Sequence, residues 1–346
     1  MGFAEKINSF FDLLRRFVDR YTWRLVLGGV LIIGSIILVT EPAWFISALD
    51  SLRIPYAVFL VVFITFFFIR GNNFLVSSGV IALLILAPGI WPYFKTAEKT
   101  PLEENLMNNQ VLESDFSVLH FNVKENNKRI SAVAEAALNS NADIVSMQEL
   151  KENSLQAIDT IMRKKYPYCL SDLSIKGFGL ALYSKYPIDS GKVIIEREFP
   201  MLVGKINING KEFNFISATT STPTNEKDFQ NQIKQFKFIT EYANKTVGPL
   251  ILMGDMNAAP WSNQIESLLK ETNLKDSRKD LSGTYPAQSP VQIPIDYIFH
   301  SPLLFCEKFS TLEQTSSNHL GIMGYYTFKE PKKNSDTLSN KIKGRK

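Results

Sequence analysis

The stretch LILMGDMNAAPWS, residues 250–262, opens as an unbroken apolar run and turns polar within a few positions. A short apolar run with no alternation, entered from Pro249, reads as a strand buried on both faces. Its tip carries Asp255 and Asn257, with only Met256 between them. A carboxylate and a carboxamide at the end of a buried strand sit where α/β proteins assemble their sites, on loops held by a rigid sheet.

The same arrangement recurs along the chain. FSVLHFNV (116–123) reads as a strand ending at Asn122, and DIVSMQE (143–149) as one ending at Glu149. GFGLALYSKYPI (177–188), KVIIER (192–197) and EFNFISATT (212–220) read as further strands, and IDYIFHS (295–301) as one that carries Asp296. Ile130, Val133, Ala134, Ala137 and Leu138 recur at helical spacing, which predicts a helix over 129–139. Phe229, Ile233, Phe236 and Ile239 predict another over 227–244. In SSNHLGI (316–322) stands His319, one of 3 histidines in the chain. The strand tips are thus all of types that bind metal or phosphate.

Residues 1–94 read differently. Three apolar runs, at 24–40, 54–69 and 74–94, approach the ~20 residues that cross a bilayer, so three transmembrane helices are expected over 25–94. FFDLLRRFVDRY (10–21) has apolar and charged faces, and residues 1–24 read as a cytoplasmic amphipathic segment. Lys6, Arg15, Arg16, Arg20 and Arg24 favour the N-terminus inside, and Arg70 precedes the third run. Three crossings then place everything after Phe94 outside the cytoplasm, in a bacterium the periplasm or the outer face of the inner membrane. Residues 95–114 read as a polar linker, 115–328 as the globular domain and 329–346 as a basic, disordered tail.

Residues 100–328 hold 22 Lys and Arg against 26 Asp and Glu, whereas the tail holds 7 against 2. An acidic domain disfavours tight binding of duplex DNA, which is driven by neutralising phosphates. Cys169 and Cys306 match no zinc or redox spacing, and whether they pair is left open.

The motifs resemble those of the endonuclease/exonuclease/phosphatase (DNase I-like) superfamily. The likeness rests on FNVKENN, DIVSMQE, GLALYSKYPI, LILMGDMNAAPWS, GTYP before IDYIF, and SNHLGI, in the family's order over residues 115–328. A three-span anchor ahead of such a domain is similar to a bacterial subgroup. The resemblance implies an α+β fold, a four-layer α/β/β/α sandwich, with its site at one end. It implies that Glu149, helped by Asn122, holds Mg²⁺ or Mn²⁺, a hard cation that prefers oxygen ligands. Asp255 and Asn257 would position the attacking water and a phosphoryl oxygen, Asp296 would orient a neighbour or the metal's waters, and His319 would move a proton or stabilise the phosphate in its charged form.

Two positions depart from the family. Asn318 stands where Ser-Asp-His has its aspartate, which removes a charged support from the imidazole. Thr220 stands where a second histidine is expected. A threonine hydroxyl donates to a phosphate oxygen but moves no proton near neutrality. His120 shares the strand face of Asn122 and is a candidate substitute. Two readings follow: a membrane-anchored, metal-dependent phosphoesterase acting on a phosphorylated substrate, or a degenerate member that binds metal and a phosphorylated ligand without turnover. A transporter is disfavoured, since the apolar runs carry no internal repeat and no interior charge.

Overall fold

Three helices are described in the apolar N-terminal third: α1 (Phe3–Val39), α2 (Arg53–Ile69) and α3 (Asn73–Phe94). The computed structural model describes residues 3–40, 44, 52–94, 114–280, 282–312 and 317–329; the linker expected before residue 114 and the tail after 329 lie outside the described residues. α1 is one helix of 37 residues, so the boundary expected at residue 24 is no break in the backbone. Gly28 and Gly29 follow within about a turn of residue 24, and the helix runs through them unbroken. Small residues set the packing. A Cβ on Gly28 of α1 would stand 2.6 Å from Ser78 Oγ of α3, and one on Gly79 of α3 would stand 2.8 Å from Ile64 of α2. Tyr56 OH of α2 donates to Leu31 O of α1 at 2.8 Å. Gly34 of α1 faces Tyr56 near the start of α2, and Gly89 near the end of α3 faces Arg53. These pairings make α1 and α3 parallel and α2 antiparallel to both. Three spans were expected. Two helical stretches, Tyr21–Val39 and Asn73–Trp91, have the length and apolarity to cross a membrane, while α2 has 17 residues and is shorter.

From residue 116 the chain builds β1 (Phe116–Asn122), α4 (Ile130–Ser140), β2 (Ile144–Gln148), α5 (Glu152–Met162), β3 (Tyr168–Asp172) and β4 (Leu180–Ser184). There follow β5 (Ile188–Glu196), β6 (Phe199–Ile208), β7 (Lys211–Ala218), α6 (Glu226–Lys245), β8 (Leu250–Asp255) and α7 (Asn263–Thr272). β9 (Lys275–Asp276), β10 (Asp296–His300), β11 (Leu304–Leu312) and β12 (Gly321–Phe328) complete it. One sheet has the order β11-β12-β1-β2-β4-β3 and the other β5-β6-β7-β8-β10-β9. Each contains a single parallel pair at its centre, β1 with β2 and β7 with β8; every other pairing is antiparallel. α4 and α6 are the crossovers that a parallel pair requires. α6 is started by Asn225, whose side chain accepts from Asp228 N, and α7 by Ser262, which accepts from Ile265 N.

Alternate residues of each strand enter different layers, as the twofold strand repeat dictates. Leu119, Phe121, Val145 and Met147 pack under α4 and α5, and Ile216, Leu250, Leu252 and Phe299 pack under α6 and α7. Phe116, Val118, Phe213, Phe215, Ile251 and Ile298 fill the space between the sheets. The result is a four-layer α/β/β/α sandwich. The inner layer is graded. At one end Phe116 stacks on Phe213 with centroids 4.4 Å apart. Toward the carboxyl ends of the parallel pairs it becomes polar, through Ser146, Ser217, His120, Gln148 and Asp255, all buried.

One sequence expectation changes, one open question closes, and several elements are new. The run 177–188 is not one strand: β4 ends at Ser184 and β5 starts at Ile188, in the opposite sheet. The corner at residues 185–187 ends in Pro187, which has no N–H for a ladder. Cys169 on β3 and Cys306 on β11 lie on opposite edges of the same sheet and are free thiols. Five strand spacings, about 24 Å, separate those edges, far beyond disulfide reach. The segments β3, β6, α5, α7, β9, β11 and β12 were not anticipated.

Two predictions follow from the inner layer. Gly254 has φ +153, and a Cβ there would stand 1.7 Å from Ala218 O and 2.7 Å from Gln148 Nε2. Gly210 also has positive φ, +85, but faces open space. In urea unfolding followed by near-ultraviolet circular dichroism, Gly210→Ala is expected to cost about 1 kcal/mol and Gly254→Ala more than about 3 kcal/mol. At the apolar end, His300 Nδ1 pairs with Ser277 Oγ at 2.9 Å, and Tyr326 OH donates to the same oxygen at 2.8 Å. Burial first, and then Lys275, Lys329 and Lys279, push the His300 imidazole down to about 4. The unfolded imidazole protonates near 6.5 while the folded one does not. Stability is therefore intact above pH ~6.5 and falls as pH drops toward 4, by about 3 kcal/mol from this group. His300→Gln is expected to flatten that part of the pH dependence in the same unfolding measurement.

Candidate functional site

The parallel pairs decide where the site lies. β1, β2, β7 and β8 all end at the same edge of the sandwich, and the antiparallel β10 and β12 begin there. Asp296, first residue of β10, is paired in register with Asp255, last of β8. His319 lies two residues before β12, which pairs with β1. One sheet thus supplies Asn122, Glu149 and His319, and the other Asp255, Asn257 and Asp296.

Contacts across the sheets hold these groups together. Gln148 Nε2 donates to Ala218 O at 2.9 Å while Asp255 N donates to Gln148 Oε1 at 2.9 Å. Asn122 Nδ2 donates to Glu149 Oε1 at 2.8 Å and to Asp255 Oδ2 at 2.9 Å, and Asn122 Oδ1 accepts from Lys124 N at 3.0 Å. Asn122 was expected to help hold the metal. Its geometry instead makes it the donor that keeps two carboxylates facing each other. Ser317 Oγ donates to Asn122 O at 2.7 Å and accepts from His319 N at 3.1 Å, which pins the loop before β12 to the end of β1.

His319 Nδ1 stands 2.9 Å from Asp296 Oδ2 and 3.9 Å from Asp255 Oδ2. The expectation that Asn318 leaves the imidazole poorly supported is corrected here. Its carboxylate partner comes from β10, not from the adjacent residue. Arg278 Nη2 donates to Asp296 O, and Arg278 lies over the Tyr297 ring. Thr284 Oγ1 accepts from Asp296 N at 3.3 Å. Behind Asp296, His120 Nε2 stands 3.4 Å from Oδ1, and His120 Nδ1 is 3.3 Å from Ser146 Oγ. His120 is fully buried. It faces the back of the Asp296 carboxylate rather than the cavity, so it does not occupy the place of a second catalytic histidine.

Electrostatics follow from this packing. Burial alone would lower His319, but the charge of Asp296 and its hydrogen bond, then Asp255 and Glu149, raise it to about 9. Burial would raise Asp296, yet His319 and His120 hold it far below the usual carboxylate range. Asp255 is raised to about 7, first by burial and then by Asp296, with His319 offsetting only part.

A cavity of about 360 Å³ opens onto Glu149, Asp255, Asn257, Asn318 and His319. Because His319 Nδ1 is committed to Asp296, Nε2 is the ring atom left for this space. Asn257 donates from Nδ2 to Thr220 O at 2.8 Å and accepts on Oδ1 from Thr222 Oγ1 at 2.8 Å, so it also clasps the loop after β7. Thr220 was expected at the phosphate. Its buried hydroxyl donates instead to Met256 O at 2.5 Å, turned away from the cavity. Thr222, two residues on, lines the cavity in its place, and Tyr285 packs on His319 with centroids 4.8 Å apart. Neither was singled out from the sequence. The repeated Ser/Thr run at 219–222 was the available signal for Thr222, and GTYP before IDYIF for Tyr285.

The donor set suits a hard divalent cation. Glu149 brings a carboxylate, and Asn318 Oδ1 is buried with no hydrogen-bond partner among the described residues while lining the same cavity. Asp255, Asp296 and His319 form the tightest acidic and imidazole cluster, with ligand atoms within 4.8 Å of one another. The bond between His319 and Asp296 fills the centre of that cluster, so it reads as a proton-holding group.

Two facing sheets flanked by helices, with a polar cluster at one edge, define the DNase I-like sandwich class. The chain belongs to the endonuclease/exonuclease/phosphatase family, whose model matches residues 119–319, more than half its length. Solved structures of similar fold include a functionally unknown conserved protein from Enterococcus faecalis V583, at 17% identity and TM-score 0.53, covering 62% of this chain and 100% of that one. A family protein from Bacteroides thetaiotaomicron matches at 16% identity and TM-score 0.53, over 62% of this chain and 95% of its own. The mannosyl-6-phosphatase Bt3783 of Bacteroides thetaiotaomicron VPI-5482 matches at 16% identity and TM-score 0.50, over 62% and 100%. No curated protein matches the chain.

Replacing Asp296 with Asn removes the principal charge that raises His319. In histidine NMR titrations without metal, His319 is expected to fall from about 9 by more than ~1 unit in Asp296→Asn. An unchanged value would show that the pair is not coupled.

Proposed function

We propose that this protein is a membrane-anchored, divalent-metal-dependent phosphoesterase acting outside the cytoplasm. The observation that carries the reading is the His319–Asp296 hydrogen bond of 2.9 Å beside Asp255 and Glu149 at one cavity. It supplies the proton-handling half that Asn318 and Thr220 had placed in doubt, and so favours turnover over a degenerate binding module.

Glu149 and Asn318 would hold Mg²⁺ or Mn²⁺, which neutralises charge on phosphate oxygens when bound. Asp255 accepts a proton from, and orients, the attacking water. It is fit for that task because burial and Asp296 bring it to about 7. His319, held charged by Asp296, donates from Nε2 to an oxygen of the phosphoryl group as negative charge builds there. Asp296 fixes the ring's orientation, with Nδ1 as donor. Asn257 and Thr222 hold the loop that closes this side of the cavity.

The anchor reading rests on helix direction. α1 and α3 run parallel, and if both cross a bilayer the chain must return between them through α2. Seventeen residues span about 25 Å at 1.5 Å each, the short end of what crosses. The basic residues of 1–24 then favour an inside N-terminus and an outside domain.

The test uses the full chain in detergent with Mg²⁺ or Mn²⁺ and generic phosphoesters. Hydrolysis is expected, falling more than ~100-fold in Glu149→Ala. Metal is expected to raise the melting temperature of the parent and not of Glu149→Ala. Metal protection without hydrolysis would sink the phosphoesterase reading in favour of a binding module.

A further inference from the structure

His120 is a buried imidazole outside the cavity, on β1, with no solvent contact. Its Nε2 and Asp296 Oδ1 face each other at 3.4 Å, and neither atom has a formed hydrogen bond among the described residues. Buried polar atoms in folded proteins are almost always paired, and these two are left to each other.

Which ring nitrogen carries the proton is set from both sides. Gln148 sets one. Its amide has one orientation, because Nε2 gives to the carbonyl of Ala218 and Oε1 takes from the N–H of Asp255, each at 2.9 Å. Nε2 also donates to Ser217 Oγ at 3.5 Å. Ser217 Oγ lies 2.9 Å from Ser146 Oγ, which lies 3.3 Å from His120 Nδ1. A hydroxyl brings one proton and two lone pairs. Ser217, receiving from Gln148, gives its proton to Ser146, and Ser146 gives its own to His120 Nδ1. Nδ1 is then the acceptor, and the ring proton sits on Nε2. Asp296 sets the other side. A proton on Nδ1 alone would leave the Nε2 lone pair against a carboxylate oxygen, with neither residue exposed. Two acceptors face to face in a low-dielectric interior are costly.

Gln148, Ser146 and His120 belong to one sheet, and Ser217 and Asp296 to the other. The run of groups therefore links the amide between the sheets to the carboxylate that orients His319. With Oδ1 facing His120, Oδ2 is left for His319 Nδ1 at 2.9 Å. We infer that His120 is a positioning residue: its Nε2–H, directed by Gln148, Ser217 and Ser146, holds Asp296 Oδ1 and thereby fixes the imidazole of His319 at the cavity. Its part in turnover rests on the phosphoesterase reading; the place of its proton and its hold on Asp296 do not.

The chain has 3 histidines, so the ring signals of the full chain in detergent, carrying isotope-labelled histidine and no metal, are assigned by one substitution at each. NMR is expected to show His120 with one proton, on Nε2, and a bare Nδ1. A proton on Nδ1 alone, or on both nitrogens, overturns the inference. His120→Gln, which keeps a donor toward Asp296, is then compared with His120→Leu, which does not; His120→Phe, closer in volume, is the second apolar variant. Exchange of the His319 Nδ1 proton with water is expected to quicken ~tenfold or more in the apolar variants and to stay near the parent rate in His120→Gln. An unchanged rate in the apolar variants overturns the positioning role, and equal quickening in all three marks a packing defect and overturns it too. With Mg²⁺ and a generic phosphoester, kcat is expected to fall ~10–100-fold in the apolar variants at unchanged KM, and His120→Gln to recover most of the loss. A fall as deep in His120→Gln, or a change in KM without one in kcat, overturns the inference. No hydrolysis by the parent overturns the phosphoesterase reading alone, and the NMR results then decide the inference.

Discussion

Gln148 is the constraint on which the rest of the structure depends. Its amide sits between the sheets, giving to the end of β7 and receiving from the end of β8. A buried carboxamide left without partners is costly, so the two sheets settle in the register that satisfies it. That register also brings Asn122 between Glu149 and Asp255, and the loop before β12 against Asp296. Neither sheet contains a site on its own. The glycine at 254 is part of the same constraint, because a side chain there would occupy the volume the amide needs.

The second principle is the burial of Asp296. A carboxylate with no solvent contact stays ionised only if cations or donors surround it. Here one imidazole faces each of its oxygens, His319 at Oδ2 and His120 at Oδ1, and a buried arginine braces its backbone. The cost of keeping this group dry is met by raising the affinity of His319 for its proton. The arrangement explains how a chain with Asn at 318 and Thr at 220 retains a supported histidine.

Much of this was legible from residue patterns, and what was not has physical causes. β1, β2 and β8 are buried on both faces, so they appear as plain apolar runs ending in Asn122, Glu149 and Asp255. The edge strand β3 lacks that signature: it is largely exposed and shows no clean alternation. β6 is interrupted in sequence by Pro200 and Gly204, which the sheet tolerates beside the bulged β5. Residue identity also says less than direction. Thr220 has the right chemistry but β7 has already ended at Ala218, and its hydroxyl turns to Met256 O. Asn318 was read as the partner of its neighbour, although adjacent residues on an extended chain point apart. The true partner lay 23 positions away on the opposite sheet.

The order of strands has a consequence for how the protein comes into being. β12 is the last strand among the described residues, yet it lies beside β1, the first of the sandwich. Ser317 reaches back 195 positions to Asn122. During synthesis the half of the molecule that carries Asp255 and Asp296 emerges whole while the imidazole is still unmade. The His319–Asp296 pair therefore forms only once this closing strand docks, and a product truncated before it lacks that pair altogether.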